Sequence, residues 1–199
     1  MLVFAKEKLV FLAMPKTGTT ALESALASKA DMVMRNPPIL NHTPAYRYNR
    51  FLKPYLEKCG LEDMETVCVV RHPIGWLGSW YRYRARDEIV GTENSTRDIT
   101  FDDFVVEYCK GQPASFANVG SQAKFLTLGD KSIGVNHLYK YEAMSKAIVF
   151  LKDRLKKDEI KLNRKNVSPP MALTISQDVE ARLRDRRAFE FSVWDQGQD

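Results

Sequence analysis

Leu9 to Met14 is an unbroken apolar run closed by Pro15 and Gly18. A run of strand-forming residues bounded by turn residues predicts a strand buried on both faces of a parallel sheet. Beyond Gly18 the pattern changes period. Leu22 and Leu26 recur four apart among alanines, with Thr19 and Thr20 at the start, which predicts a helix. The succession returns at Thr66–Val70, a second buried strand that ends at Arg71. Pro73 then suits the first turn of a helix carrying Trp76, Leu77, Trp80 and Tyr81 at helical spacing. A third strand is expected over Val135–Tyr139, followed by a helix from about Glu142 to Lys156 with Ala143, Ala147, Phe150 and Leu151 on one stripe.

Further helices are expected over 45–59, 101–109 and 121–128, and loops over 87–100 and 163–170. Strands alternating with helices predict an α/β fold of three layers, α/β/α, around a central parallel sheet. Ligands of such sheets bind beyond the carboxyl ends of the strands, where Pro15–Gly18 and Arg71 fall. The 199 residues fit a single domain spanning 1–199, without internal repeats.

Composition narrows the class only a little. With 44% hydrophobic and 28% charged residues, the chain is not a disordered, collagen-like or disulfide-scaffold protein. The formal charge of +5 favours an anionic ligand without choosing among nucleotide, sulfated glycan, nucleic acid or membrane. Arg182, Arg184, Arg186 and Arg187 interleave with acids and read as a solvated helix face. Cys59, Cys68 and Cys109 form no CxxC pair, so neither a zinc site nor a redox dithiol is indicated. No apolar stretch approaches a membrane span, and LVFLAM is followed by charge and a turn instead of a cleavage site. A soluble, cytoplasmic protein without a membrane or nucleic-acid partner is expected.

Strand–PKTGTT–helix, at 15–20, has the form of an anion cradle. The first turn of a helix leaves N–H groups unpaired and its dipole favours negative charge. Gly18 allows close approach, Thr19 and Thr20 offer hydroxyls, and Lys16 adds a cation. This is not the G-x-x-x-x-G-K-[ST] loop of nucleoside triphosphatases. With Gly18 aligned to the second glycine, Thr19 stands where the lysine belongs and Ala13 replaces the first glycine. Arg71, not an acid, ends the second strand, a pattern suited to an anion held without an obligatory metal.

A companion feature runs from Arg71 through Pro73 to Ser79, about two turns into the next helix. If the chain reverses at Pro73, the arginine fork and the serine converge on one phosphate. Two anion sites on successive strand ends call for a nucleoside with phosphates on opposite sides.

On these residues the chain resembles the sulfotransferase superfamily, especially its carbohydrate-modifying and small bacterial members. PKTGTT at 15–20 is similar to the family's PK[ST]GTT loop, and R-H-P…S-W-Y at 71–81 to its R-x-P…S-x-Y segment. The resemblance implies a P-loop-like, nucleotide-kinase-like fold. It implies 3′-phosphoadenosine 5′-phosphosulfate as donor and 3′-phosphoadenosine 5′-phosphate as product, with no metal required. Pro15, Lys16, Thr17, Gly18, Thr19 and Thr20 would hold the 5′ end, and Arg71 and Ser79 the 3′-phosphate. Weaker likenesses are NHTPA at 41–45, YKYEAM at 139–144, KNVS at 165–168 and FSVWD at 191–195. The GxxGxxK segment of the steroid and phenol branch is missing.

Sulfuryl transfer needs a positioned nucleophile, cations near the leaving oxygen and a base for the acceptor hydroxyl. Lys16 is expected to stabilise the leaving phosphate. Of the three histidines, His72 adjoins the 3′-phosphate end and His137 falls within a strand, which leaves His42 as the candidate base, with Glu23 as the carboxylate alternative. Arg164–Ser168 is a candidate closing loop. The acceptor is a hydroxyl compound, a carbohydrate or small molecule, with Tyr46, Tyr48 and Phe51 as either sugar-site or core aromatics. A small-molecule kinase, or a nucleotide-binding protein without catalysis, stands as the alternative.

Overall fold

The structure, a computed structural model, describes residues 1–162 and 173–199. Its centre is a five-stranded sheet in the order β3-β1-β2-β4-β5. Strand β1 (Leu2–Phe4) and β2 (Leu9–Leu12) form an antiparallel hairpin in which Leu2 faces Phe11 and Phe4 faces Leu9. After helix α1 (Thr19–Leu26), strand β3 (Met32–Val33) pairs antiparallel with the outer side of β1. Helix α2 (Pro38–Asn41) and a longer helical stretch lead to β4 (Glu65–Val70), parallel to β2. That stretch comprises α3 (Ala45–Arg47), a π turn at Tyr48–Leu52 and α4 (Lys53–Lys58). Pro54 cannot donate to the helical ladder, and the wider turn just before it relieves the crowding its ring would cause.

Helices α5 (Pro73–Arg84), α6 (Phe101–Tyr108) and α7 (Gln122–Leu126) fill the crossover to β5 (His137–Lys140), again parallel. Helices α8 (Met144–Arg154), α9 (Gln177–Arg186) and α10 (Ala188–Asp195) follow. The expected central parallel sheet is found in three of the five strands, and the sheet as a whole is mixed. β2, β4 and β5 run parallel, while β1 and β3 add an antiparallel flank. The flank escapes a sequence reading because both strands are very short. The β1–β2 turn, Ala5–Lys8, also lacks glycine, asparagine and proline; it closes with Lys8 at φ 50° donating to the Ala5 carbonyl.

Alternation along the strands sends side chains to both faces, as continuous apolar runs require. Val10, Leu12, Cys68 and Val70 pack with Tyr48, Leu56, Leu126 and Val193 on one side. Leu9, Phe11, Val67 and Val69 pack with Leu22, Leu26, Ala147 and Leu151 on the other. Each such leucine, fully buried, contributes about 1.5–3 kcal/mol. A third cluster, around Trp76, Tyr81, Phe104 and Leu183, joins α5 to α6 and α9. Among the described residues no helix is long and apolar enough to cross a membrane. All three cysteines are free thiols.

Candidate functional site

The carboxyl ends of β2, β4 and β5 bring three turns together. The first runs from Ala13 to Gly18. Thr17 and Thr19 are buried and both donate their hydroxyls to the Met14 carbonyl, at 3.0 and 3.2 Å. These bonds fold the turn on itself, so the Thr19 hydroxyl serves the loop, and of the two offered to a ligand only that of Thr20 is exposed. Lys16 and Gly18 take left-handed backbone at φ 66° and 75°. Alternating handedness of this kind makes a nest of N–H groups. The N–H groups of Lys16 through Thr20 have no acceptor among the described residues. Gly18 caps α1 without a side-chain bond, and a Cβ there would meet Tyr141 Cε2 at 3.3 Å and Met144 Cε at 3.4 Å.

The second turn follows β4. Arg71 is held by its backbone: its N–H donates to Gln122 Oε1 at 2.9 Å, and Gln122 Nε2 donates to its carbonyl at 2.8 Å. Gln122 is buried on α7, and α7 is fixed by Glu190 of α10, whose carboxylate accepts from the Ala123 N–H at 3.1 Å and from the Ser121 hydroxyl. Burial pushes the Glu190 carboxyl above the usual range. Next along, the His72 N–H donates to Glu142 Oε1 at 2.9 Å. The Arg71 guanidinium stands 4.4 Å from the Tyr141 ring centre, and its Nη1 lies 3.4 Å from the Lys16 carbonyl. Tyr141, just past β5, therefore lies against both turns. The indole of Trp76 ties them from the other side, donating to the Pro15 carbonyl at 2.9 Å.

Ser79 is half-buried two turns along α5 and makes no hydrogen bond to Arg71. Arg71 instead lies over Gly75, where a Cβ would meet its Nε at 3.3 Å. Contacts of Arg71 and Trp76 join Pro15–Gly18 to the second turn, and Ser79 takes no part in them.

Lys16 reaches α5. Its Nζ stands 3.2 Å from the Tyr83 ring centre and 4.6 Å from that of Trp80. Burial, then the Arg86 and Arg84 guanidiniums, push its amine down to about 7. Trp80 Nε1 is buried without a partner, an orphan donor beside the lysine. Trp80 packs with Trp76 and Tyr81 in the third cluster and, together with Tyr83, also receives Lys16.

His42 comes to the same loop. Its Nδ1 lies 2.6 Å from the Ala13 carbonyl. A carbonyl only accepts, so Nδ1 carries a proton in this bond, which leaves Nε2 as the ring nitrogen without this partner. His42 lines a cleft of about 330 Å³ together with Pro15, Tyr46, Trp76, Ser121 and Lys124. The other candidates have structural partners. Glu23 is buried between the Met1 amine, at 2.9 Å, and Asn41. The His72 ring packs edge-on against Phe191 and Trp194. His137 Nε2 lies 3.2 Å from Glu65, which also pairs with Arg154. Of the three aromatics considered for a sugar site, only Tyr46 lines the cleft. Tyr48 is core, and Phe51 faces outward.

The candidate closing loop Arg164–Ser168 lies outside the described residues. Among the described residues no three His, Cys, Asp or Glu side chains cluster closely enough to hold a metal ion. Comparison with protein-family models, curated proteins and solved structures found no match to this chain.

Proposed function

We propose that the chain is a sulfotransferase, built on a P-loop-like scaffold, that moves a sulfuryl group from 3′-phosphoadenosine 5′-phosphosulfate to an acceptor hydroxyl. The observation that carries the reading is the pairing of two unlike anion sites: free N–H groups at Lys16–Thr20 and an arginine fixed beside them at Arg71. The orphan indole N–H of Trp80 adds a donor that such a ligand would satisfy. The residues fit this donor: the N–H nest suits its 5′ phosphosulfate, and Arg71, with Ser79 further along α5, its 3′-phosphate.

In this reading the loop amides bind and orient the 5′ end, and Lys16 leaves the Tyr83 ring to meet charge growing on the bridging oxygen. His42 Nε2 takes the proton of an acceptor hydroxyl seated in the adjacent cleft. The acceptor oxygen forms its bond to sulfur as the sulfur–oxygen bond to the phosphate breaks, in line, and the bisphosphate leaves. A carbohydrate or other small hydroxyl compound fits a cleft at the low end of the usual size for ligand sites, about 300–1,000 Å³.

Thermal unfolding with 3′-phosphoadenosine 5′-phosphate, beside ATP with magnesium, tests the donor. At about 100 times Kd a ligand adds roughly 2.7 kcal/mol, or about 5–10 °C for a domain of this size. The bisphosphate alone should give that rise. A rise only with ATP and magnesium would put a kinase in its place. His42→Ala should cut turnover and leave bisphosphate affinity nearly unchanged; a parallel loss of affinity would remove His42 as base.

A further inference from the structure

Residues 32–56 hold four cations, Arg35, Arg47, Arg50 and Lys53, and no carboxylate. Of the nine large hydrophobic residues exposed among the described residues, six fall in the same segment: Val33, Ile39, Leu40, Tyr46, Phe51 and Tyr55. Phe51 is 64% exposed, and Ile39 and Tyr55 are each 57% exposed. They border a groove of about 410 Å³ between α2 and the α3–α4 stretch, floored by Met34 and Leu52 with Arg47 on its wall. The Arg50 guanidinium lies 5.2 Å from the Phe51 ring centre, so cation and aromatic occupy one level of the surface. The flanking acids are engaged: Asp31 accepts from the Ala5 N–H, and Glu57 pairs with Lys53 at 4.0 Å.

We infer that this face docks the protein on an anionic lipid surface. Contiguous apolar area of this kind is uncommon on a free soluble protein and marks an interface. Apolar side chains that enter the acyl boundary, with Arg47 and Arg50 beside them and no carboxylate within residues 32–56, match the demands of an anionic bilayer. An acidic protein would meet the charge but needs polar contacts to fix its orientation. The groove offers few: besides Arg47 its polar side chains are Tyr55 and Thr43, and the Thr43 hydroxyl already donates to the Leu40 carbonyl at 2.7 Å. No membrane partner was expected from the sequence because no apolar stretch approaches a span; an interfacial face of this kind needs none.

The segment also forms part of the candidate active site. Ile39, Leu40 and Thr43 line the groove, while His42, Pro44 and Tyr46 line the reactive cleft. Docking would set that cleft beside the lipid surface, whichever reaction it performs.

Flotation of the full chain with vesicles tests the inference. Vesicles of phosphatidylcholine mixed with phosphatidylglycerol should carry the protein, and phosphatidylcholine alone should bind it far more weakly. Arg50→Ala should weaken binding about fivefold, the usual effect of one cation near such a surface. Phe51→Ser with Ile39→Ser should abolish binding, with the unfolding temperature unchanged because both side chains are exposed. Equal binding to neutral and anionic vesicles, or none to either, overturns the proposal. So does a dimer in solution that Phe51→Ser dissociates, since a second copy would then cover the face. Loss of vesicle binding in Arg71→Ala, with retention in the Phe51/Ile39 double variant, overturns it too, by placing the headgroup in the nucleotide cleft.

Discussion

The turns after β2 and β4 face the same space and are built in opposite ways. The first presents backbone. Its two buried threonines turn inward to the Met14 carbonyl, and its N–H groups meet no acceptor among the described residues. The second presents a side chain, and its backbone is spent: Gln122 takes both polar groups of Arg71, and Glu142 takes the next N–H. A backbone site is encoded where it stands, because a left-handed glycine and two threonines suffice to shape it. A side-chain site depends on distant residues, here running from α10 through Glu190 and α7 to Arg71. Binding energy should be sensitive to substitution near the first turn and to substitution far from the second.

The largest effect is expected at the second turn. Arg71→Ala removes the fork that would grip a phosphate, a charge-assisted contact of about 1.5–3 kcal/mol. Affinity for 3′-phosphoadenosine 5′-phosphate, measured by calorimetry, should fall about 10- to 100-fold. Gln122→Leu leaves the guanidinium in place but frees the backbone beneath it, and should cost affinity too, by roughly fivefold. If Gln122→Leu binds as tightly as the parent, the α7 clamp does not position Arg71, and the contrast between the turns collapses.

These remote supports mark the limit of what the sequence could show. PKTGTT and Arg71–Pro73 were legible because the chemistry and the turn lie within a few residues. The three parallel strands were legible too, since a strand buried on both faces must be apolar without interruption. Gln122 and Tyr141 were not singled out, because a lone glutamine or tyrosine carries no local pattern and gains its role only when β5 and α7 are folded against β4. Trp80 packs as its helical spacing implies, but spacing identifies a face without naming every neighbour, and here the neighbours include Lys16. His42 was singled out because the other two histidines fall elsewhere, but its bond to the Ala13 carbonyl joins residues far apart in the chain. The short strands β1 and β3 were missed because three and two residues cannot establish a period.

A smaller effect tests the first turn. Gly18→Ala forces an L side chain to φ 75°, where left-handed backbone costs about 1–2 kcal/mol, and pushes its Cβ toward Tyr141. The unfolding temperature should drop by roughly 3–6 °C. Because Tyr141 also lies against Arg71, bisphosphate affinity should weaken in the same variant. An unchanged unfolding temperature would mean that the turn relaxes to right-handed backbone without cost, and that the nest is not rigid.

Lys16 gives the finest test, because it belongs to the first turn by sequence and to α5 by contact. Its amine titrates near 7 in the ligand-free fold instead of at its ordinary 10.5. A lowered cation pKa means that the unfolded chain binds more protons between those values. This group's contribution to stability is therefore full above 10.5 and is lost as the pH falls through 7. Binding a multiply charged anion should restore the charge and draw one proton from solution at pH 8, where phosphate itself is already fully ionised. Calorimetry of 3′-phosphoadenosine 5′-phosphate at pH 8, in two buffers of different ionisation heat, should show uptake close to one proton, and affinity should weaken as the pH rises from 7 to 9. Lys16→Met should abolish the uptake. If uptake persists in that variant, the proton goes elsewhere and the lysine stays on its aromatic rest. If the parent shows none, Lys16 is already charged over Tyr83 and Trp80, and the two turns differ less in their electrostatics than their geometry implies.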